Sequence, residues 1–579
     1  MSRSYYLATP VPDAVHAALA GYDDLTKQLL FNRGVTEPEA VQQFLNPSYD
    51  TDRHDPFLLN DMERAVRRVL RAIVENEKVM VYSDYDCDGI PGAVVVHDFF
   101  KAIGFQNFEH YIPHRHYEGF GFSAYAVEKI AHSGTTLIIT IDCGTSDHEA
   151  VDAAARYGID VIVTDHHEPH AAHGPAAAAA VVNPKLGGTY PFDGLCGAAV
   201  VFKLVEALIA RGNFAIKPGW EKWWLDMVGI ATIGDLVPLT GENRVFARFG
   251  LDVLRKSRRP GLQHLFRKTR TSQRYLTEDD IGFTIAPRIN AASRMDTPED
   301  AFHMLAATDE ADAGVHVAHL EKLNNERKGL VASMTKELKK RIHDMVEIPD
   351  VLVLGSPEWR PSLAGLAANS LAETYRRPAF IWGRDGNGVV KGSCRSEGSS
   401  SVVTLMNAAT HLFLEHGGHH MSGGFSVRDE HIYTFGDTLN TTYRDLGTAA
   451  VVQEEQMIDA ELALTDIASP LLRALASLAP FGMGNPKPLF SFREVTPVRV
   501  DVFGKAKEHL KLVFDVNGRD VEAIAFFATP TSFAVEPAVG QAVTLIAHVE
   551  QSFFMGRMQI RLRIVDIVNK NDINLADNV

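Results

Sequence analysis

VYSDYDCDG, residues 81–89, ends an apolar run and sets Asp84, Asp86 and Asp88 at alternate positions. Three carboxylates this close repel one another. Either the segment is a solvated acidic turn, or a cation sits among them. The opening matches that of an EF-hand calcium loop, which requires a bidentate Glu at its twelfth position. Counting from Asp84, that position is Val95, and a strand-like run rather than a helix precedes the motif. Both features exclude calcium of that type.

The same punctuation recurs downstream. KVMVYSD (78–84), TLIITID (136–142) and IDVIVTD (159–165) are β-like apolar runs that each end in Asp. Helical segments separate them: GAVVVHDFFKAIG, SAYAVEKIAHSG and HEAVDAAARYG. Nearly continuous apolar strands alternating with helices predict an α/β domain with a buried parallel sheet. In such sheets the ligand site lies beyond the C-terminal strand ends. A single Asp there reads as a helix cap or a solvated turn. Three on one edge predict a site.

TDHHEPH (164–170) adds Asp165, His166 and His167 at the third strand end, and ATIGDLVPL brings Asp235 at the end of a helix. Oxygen and nitrogen donors without thiolates suit Mn²⁺ or Mg²⁺ better than structural zinc. Asp86, Asp88, Asp142, His166 and Asp235 are enough ligands for two ions. Two ions roughly 3.5–4 Å apart can clamp the attacking and leaving oxygens of a phosphoryl displacement. The implied chemistry is metal-assisted hydrolysis. His167 either contacts the scissile phosphate or braces the site from behind.

The chain has 579 residues, which predicts three or four domains. Its 57 Lys+Arg against 73 Asp+Glu give a net charge of -16. That excludes a small basic DNA-binding module but not a nuclease with a local basic groove. The N-terminus lacks an apolar signal-peptide core, and no stretch of eighteen apolar residues is uninterrupted. Cys87, Cys143, Cys196 and Cys394 form no CxxC pair, so free thiols in a reducing cytoplasm are expected.

Residues 1–48 read as a helical cap and 49–308 as the catalytic domain. A connecting helix follows over 309–347, with Leu320, Leu323, Leu330, Met334 and Ile342 near helical spacing and Pro349 beyond its end. A second α/β unit spans 348–447 and holds the glycine-rich HGGHHMSGGFS (416–426). Residues 448–579 read as five or six short strands, a small barrel or sandwich. RKSRRPGLQHLFRKTRTSQR (255–274) has eight Lys/Arg and no acid, and is either solvated surface or a phosphate-contacting wall.

DYDCDG, IDCGT, TDHH and ATIGDLVPL, in this order and spacing, resemble the DHH phosphoesterase family, and within it the branch of single-strand-specific 5′→3′ DNA exonucleases. APRINAASR (286–294) is similar to that branch's basic motif, and LNNERK (323–328) to its inter-domain helix. SPEWRPSLAGLAANSL, KGSCRS and GGHHMSGGFSV are similar to its DHH-associated domain, and PFGMGNPKPLF (480–490) with EHLKLVF to its oligonucleotide-binding (OB-fold) domain. The resemblance implies a parallel-sheet DHH domain joined by the long helix to a DHH-associated α/β domain, then a β-barrel OB-fold domain.

The resemblance also implies roles. Asp86, Asp88, Asp142, His166 and Asp235 would be metal ligands for Mn²⁺ or Mg²⁺, with Asp84 and His167 lining the site. Arg288, Asn290 and Arg294 would face phosphates. Lys391, Ser393, Arg395, Gly417, Gly418 and His419 would hold the strand. Single-stranded DNA is the implied substrate, cut to mononucleotides in recombination and repair. A monomer is implied, with single-strand-binding protein and a recombination helicase as partners and no membrane. The chain departs from the branch at Arg360, usually His, and at Ser293 and Cys394, usually Gly. These departures lie outside the aspartate set and imply a diverged member.

Relatives acting on short oligonucleotides, cyclic dinucleotides or pyrophosphate usually carry His ahead of the paired aspartates and lack a β-rich tail. VYSDYD has no such His, and the tail is present. A non-catalytic scaffold would have lost ligands, and every expected ligand type is here.

Overall fold

The computed structural model describes residues 4–170, 173–398, 400–418, 420–447, 455–554, 557–569 and 572–575. Its catalytic domain is built on a five-stranded parallel sheet in the order Phe108–Tyr111, Val79–Ser83, Leu137–Ile141, Asp160–Thr164, Ala180–Val182. The three central strands are the Asp-terminated runs. Their registers pair Ser83 with Ile141 and Ile141 with Thr164, so the residues after each strand emerge at one level.

Alternation in these strands feeds two cores. Val79, Val81, Leu137, Ile139 and Ile141 pack with helices Gly89–Ala102 and Gly197–Arg211. Met80, Tyr82, Ile138, Val161 and Val163 pack with helices Ala124–Ala131 and His148–Arg156. Both faces are therefore dry, and burial of each such side chain is worth about 1.5–3 kcal/mol.

Helix Glu310–His343, capped by Asp309, runs for about 50 Å at 1.5 Å per residue. Val317 and Leu320 belong to the catalytic core. Met334, Leu338 and Ile342 belong to the core of the second domain. Leu330, expected on the apolar face, is 44% exposed, because the helix crosses open space between its two anchorages there. The second domain has the strand order Phe413–Gly418, Ser422–Val427, Val390–Arg395, Ala379–Arg384, Leu352–Gly355.

Two expectations change at the ends of the chain. Residues 1–48, expected as a helical cap, also contain a strand. Strand Ser4–Leu7 pairs in parallel with both Glu455–Ile458 and Ile573–Leu575. Helices Asp24–Phe31 and Pro38–Leu45 bury Leu29, Leu30, Val41 and Phe44 in one core with Phe490, Leu512 and Phe514. The N-terminal segment thus completes the C-terminal domain, because its apolar faces match that sheet. The C-terminal sheet has seven strands rather than five or six, and Val543–Phe554 and Arg557–Val568 are twelve residues each.

Arg244 ties this composite domain to the catalytic one. It is buried, and its guanidinium donates to the carbonyls of Phe44 at 2.6 Å, Leu478 at 2.9 Å and Ala479 at 3.2 Å. Asn485 still donates to Leu478 and Arg248 to Ala479 without it, so Arg244→Leu strands chiefly the Phe44 carbonyl and should cost about 1–3 kcal/mol. The expected readout is a lower melting temperature with earlier tryptic release of the C-terminal domain.

Candidate active site

The strand ends build the site directly. Asp84 leaves the first strand and is 3% exposed. Asp86 turns the chain into the next helix, its Oδ1 accepting from the backbone N–H of Asp88 at 2.8 Å. Asp142 adopts a left-handed backbone, φ 63°, which is uncommon for a non-glycine residue and most accessible to Asp and Asn. Helix Gly197–Arg211 points its N-terminus at the cluster. The backbone N–H groups of Gly197 and Ala198 donate to Asp88 at 2.6 and 2.7 Å. A Cβ on Gly197 would lie 2.6 Å from Asp142 Cβ, so only glycine admits this approach.

His166 stands at the centre. Its Nε2 is 3.1 Å from Asp142 Oδ1, 3.6 Å from Asp88 Oδ2 and 3.8 Å from Asp235 Oδ2. Asp235 follows the last turn of helix Leu225–Gly234. His167 turns the other way, its Nδ1 2.8 Å from Asp165 Oδ1. Asp165 also accepts from the N–H groups of His166, His167 and Thr145.

Burial and mutual repulsion hold Asp84, Asp142 and Asp235 well above the ordinary carboxylate range and push Asp88 up to about 6. Burial, helped by the neighbouring His167 charge, takes His166 down to about 3, so its ring is neutral and free to be a ligand. Burial also opposes a charge on His167, but the hydrogen bond and charge of Asp165 overcome it and raise His167 to about 9. Asp165 is correspondingly held well below the ordinary range.

These residues fit divalent cations. Asp84 Oδ1 and Asp142 Oδ1 are buried without a hydrogen-bond partner, which costs free energy unless a cation meets them. Two separate trios, Asp84–Asp86–Asp142 and Asp88–His166–Asp235, each bring three ligand atoms within 4.8 Å of one another. A third, Asp142–His166–His167, links them. The donors are carboxylate oxygens and imidazole nitrogen, the set preferred by Mn²⁺ and Mg²⁺.

The basic motif is more divided. Arg288 is engaged by Glu321 at 2.6 Å and by the carbonyl of Thr284 at 2.7 Å. Asn290 braces the acidic turn, its Oδ1 accepting from Cys87 N–H at 3.0 Å. Among the described residues Arg294 is paired with no carboxylate, and its guanidinium donates to the Ser362 carbonyl. Burial and the charges of Arg115, Arg327 and Arg395 push it down to about 9, with Asp86 as the opposing charge. Arg115 lies over the Tyr85 ring at 4.9 Å. Sequence reasoning passed over Arg115; PHRH after strand Phe108–Tyr111 was its available signal. Phe120, 61% exposed, stands edge-on to the His167 ring at 5.5 Å.

In the second domain, Lys391, Ser393 and Arg395 share one face of strand Val390–Arg395, while Val390, Gly392 and Cys394 face its core. Lys391 is paired with Asp385 at 3.1 Å. Gly417 and Gly418 do not form a loop as expected. They lie in a hairpin strand opposite Gly424 and Gly423, because paired glycines still satisfy the backbone ladder. His419 lies outside the described residues. Of the departures, Cys394 is buried in the core of the second domain, and Arg360 lies at a clasp between domains. Arg360 donates to Met295 O at 3.1 Å, and Ser362 Oγ to Arg294 O at 2.9 Å. Arg294 donates back to Ser362 O at 2.7 Å.

Comparison with known proteins supplies names for these parts. Residues 78–232 match the DHH family N-terminal domain, 349–445 the DHHA1 domain and 458–566 the RecJ OB domain. The chain is 32% identical to the single-stranded-DNA-specific exonuclease RecJ of Bacillus subtilis, over 94% of this chain and 67% of that protein. It is 30% identical to the RecJ of Haemophilus influenzae, over 90% of this chain and 92% of that one. The crystal structure of RecJ with Mn²⁺ from Thermus thermophilus superposes with a TM-score of 0.82 at 26% identity, covering 99% of this chain and 80% of that one. The same protein is also known with Mg²⁺, at a TM-score of 0.76.

Two measurements test the electrostatics. A group whose folded pKa is raised contributes stability that is full below its unfolded pKa and lost as pH climbs through the folded value. Asp88, at about 6, loses its share by neutral pH. The rise in melting temperature given by Mn²⁺ should therefore be larger at about pH 7.5 than at about pH 5.5. Asp142→Asn should raise the metal-free melting temperature and abolish most of the Mn²⁺ effect. In the metal-free protein, Asp165→Asn should return His167 from about 9 toward the ordinary histidine value, as read in histidine ¹⁵N spectra.

Proposed function

The chain belongs to the RecJ family, and from that we propose that it hydrolyses single-stranded DNA stepwise from the 5′ end to mononucleotides, using Mn²⁺ or Mg²⁺. The observation that carries this is a buried carboxylate cluster in two three-ligand groups, with unpartnered Asp84 and Asp142 oxygens and the Arg115 guanidinium over the Tyr85 ring between Asp84 and Asp86. Cations and guanidiniums from opposite sides are what a phosphodiester needs.

Asp84, Asp86, Asp142, Asp88, His166 and Asp235 would hold the metals. When bound, these ions supply Lewis acidity toward a phosphoryl oxygen. Protonated His167, fixed by Asp165 at Nδ1, keeps Nε2–H free to donate to a non-bridging phosphate oxygen. Arg294, Arg115 and Arg395 seat the phosphates beside it, with Ser393 on the same strand face as Arg395. In this reading Arg288 acts through Glu321, and Asn290 through Cys87, as positioning residues. Exposed Phe120 offers a ring to a base.

A terminal phosphate seat beside the metals gives a direction to degradation, and the domain matched as a RecJ OB domain suits a polymer rather than a dinucleotide. We extend the family likeness to a role in recombination and repair as a cytoplasmic monomer, with single-strand-binding protein and a recombination helicase as partners. Among the described residues no helix is long and apolar enough to cross a membrane.

With a 3′-labelled single strand in Mn²⁺, the label should move to progressively shorter products, and a blunt duplex should persist. Asp142→Ala should lower the rate by about a thousandfold or more. Arg395→Ala should reduce kcat/KM for a 5′-phosphorylated strand by about 10–100-fold, and less for a 5′-hydroxyl strand. Hydrolysis of dinucleotides with no attack on any polymer would refute the polymer assignment.

A further inference from the structure

The basic run 255–274 takes no part in the catalytic centre, and the fold uses only part of it. Three of its eight cations are structural. Arg259 is buried between Asp226 at 2.7 Å and Asp98 at 2.6 Å. Arg255 pairs with Asp252 at 2.8 Å and holds the carbonyl of Leu276, and Arg267 meets Glu310. The other five, Lys256, Arg258, Lys268, Arg270 and Arg274, are exposed, and among the described residues none meets a carboxylate.

Arg270 is held at φ 58°, a left-handed position where a non-glycine residue is uncommon. It lines two hollows at once. One, of about 440 Å³, is walled by Arg267, Thr271, Ser272 and Gln273, all of them hydrogen-bond donors. The other, of about 690 Å³, opens between this segment and the C-terminal domain and is lined by Arg248, Arg274, Lys487 and Arg561. The acids that share this larger hollow are largely occupied. Asp279 and Glu550 are within 2.8 and 3.5 Å of Lys487. Asp280 caps Thr277 at 2.9 Å, and burial holds Glu278 above its ordinary range.

Five unpaired cations within twenty residues of a chain with net charge -16 repel one another and have no internal complement. Phosphates are the natural partner. The kind of nucleic acid follows from what is missing. Tracks for single strands interleave cations with aromatic platforms for the bases. Among the described residues of the run none is an exposed Phe, Tyr or Trp: Phe266 is buried, and Tyr275, 39% exposed, lies just past it. The surface suits a phosphate backbone whose bases are already stacked.

We propose that the face formed by Lys256, Arg258, Lys268, Arg270 and Arg274 is a metal-independent exosite for duplex DNA adjoining the single strand. The exosite rests on the reading of DNA as the substrate. It would hold a tailed duplex while the tail is fed to the carboxylate centre, without contributing to hydrolysis.

The test uses the full-length protein and the variant Lys268→Gln/Arg270→Asn/Arg274→Gln, in which Asn tolerates the left-handed backbone. Fluorescence anisotropy in EDTA compares a duplex bearing a 5′ single-stranded tail with the tail alone, over a series of KCl concentrations. Wild type should bind the tailed duplex more tightly than the tail. The variant should lose about tenfold on the tailed duplex, with the log–log salt slope smaller by about 2.7, and bind the tail as wild type does. Equal losses on both ligands would assign the face to the single strand and overturn the exosite. Unchanged binding of the tailed duplex would overturn it as well. Cleavage of the tail alone in Mn²⁺ tests the DNA reading separately. Failure of wild type to cut the tail would count against that reading, whereas the exosite is decided by binding in EDTA.

Discussion

Carboxylates that cannot all be charged at once are the constraint around which this molecule is arranged. Asp84, Asp88 and Asp142 are buried on one edge of a dry parallel sheet, and repel one another and Asp235. Each local oddity beside them answers that crowding. The left-handed turn at Asp142 aims its side chain inward. The N–H groups of Gly197 and Ala198 neutralise part of Asp88. The pair His166 and His167 splits into a neutral ring and a charged one because burial dominates at the first, while the ring of the second is hydrogen-bonded to Asp165. Without cations, the fold carries an electrostatic debt that no side chain here settles.

The central sheet was legible in the sequence because KVMVYSD, TLIITID and IDVIVTD must be dry on both faces. The edges were not. Phe108–Tyr111 is a short, partly polar strand, and Ala180–Val182 follows a run of alanines with little β preference. Their strand character comes from the neighbours they pair with. The metal-type residues were legible for the same reason as the sheet: each closes an apolar run. Arginines were harder, since a guanidinium's partner is set by tertiary contact. Arg288 and Arg294 lie six residues apart in one motif, yet the first is taken by Glu321 and the second by the Ser362 carbonyl of the facing domain. Arg115 sits in PHRH, a short basic run that does not by itself show which way its guanidinium turns.

The groove between the two α/β domains is held at several heights. Helix Glu310–His343 fixes the distance, anchored by Val317 and Leu320 at one end and by Leu338 and Ile342 at the other. The reciprocal bonds of Arg294 and Ser362, with Arg360 on Met295, close one side. The departure at Arg360 therefore falls on the contact that sets the separation of the domains. It leaves the carboxylate edge untouched.

The pairing of Ser4–Leu7 with Glu455–Ile458 bears on how the chain is made. A ribosome adding roughly 5–20 residues per second leaves that first strand without its partner for roughly 20–90 s. Over the same interval the apolar faces of Asp24–Phe31 and Pro38–Leu45 wait for the sheet that will cover them. The central catalytic sheet emerges meanwhile, with all its strands inside residues 79–182. Synthesis thus favours a nascent form whose carboxylate edge is assembled before any C-terminal wall stands beside it, with its leading segment open to chaperones.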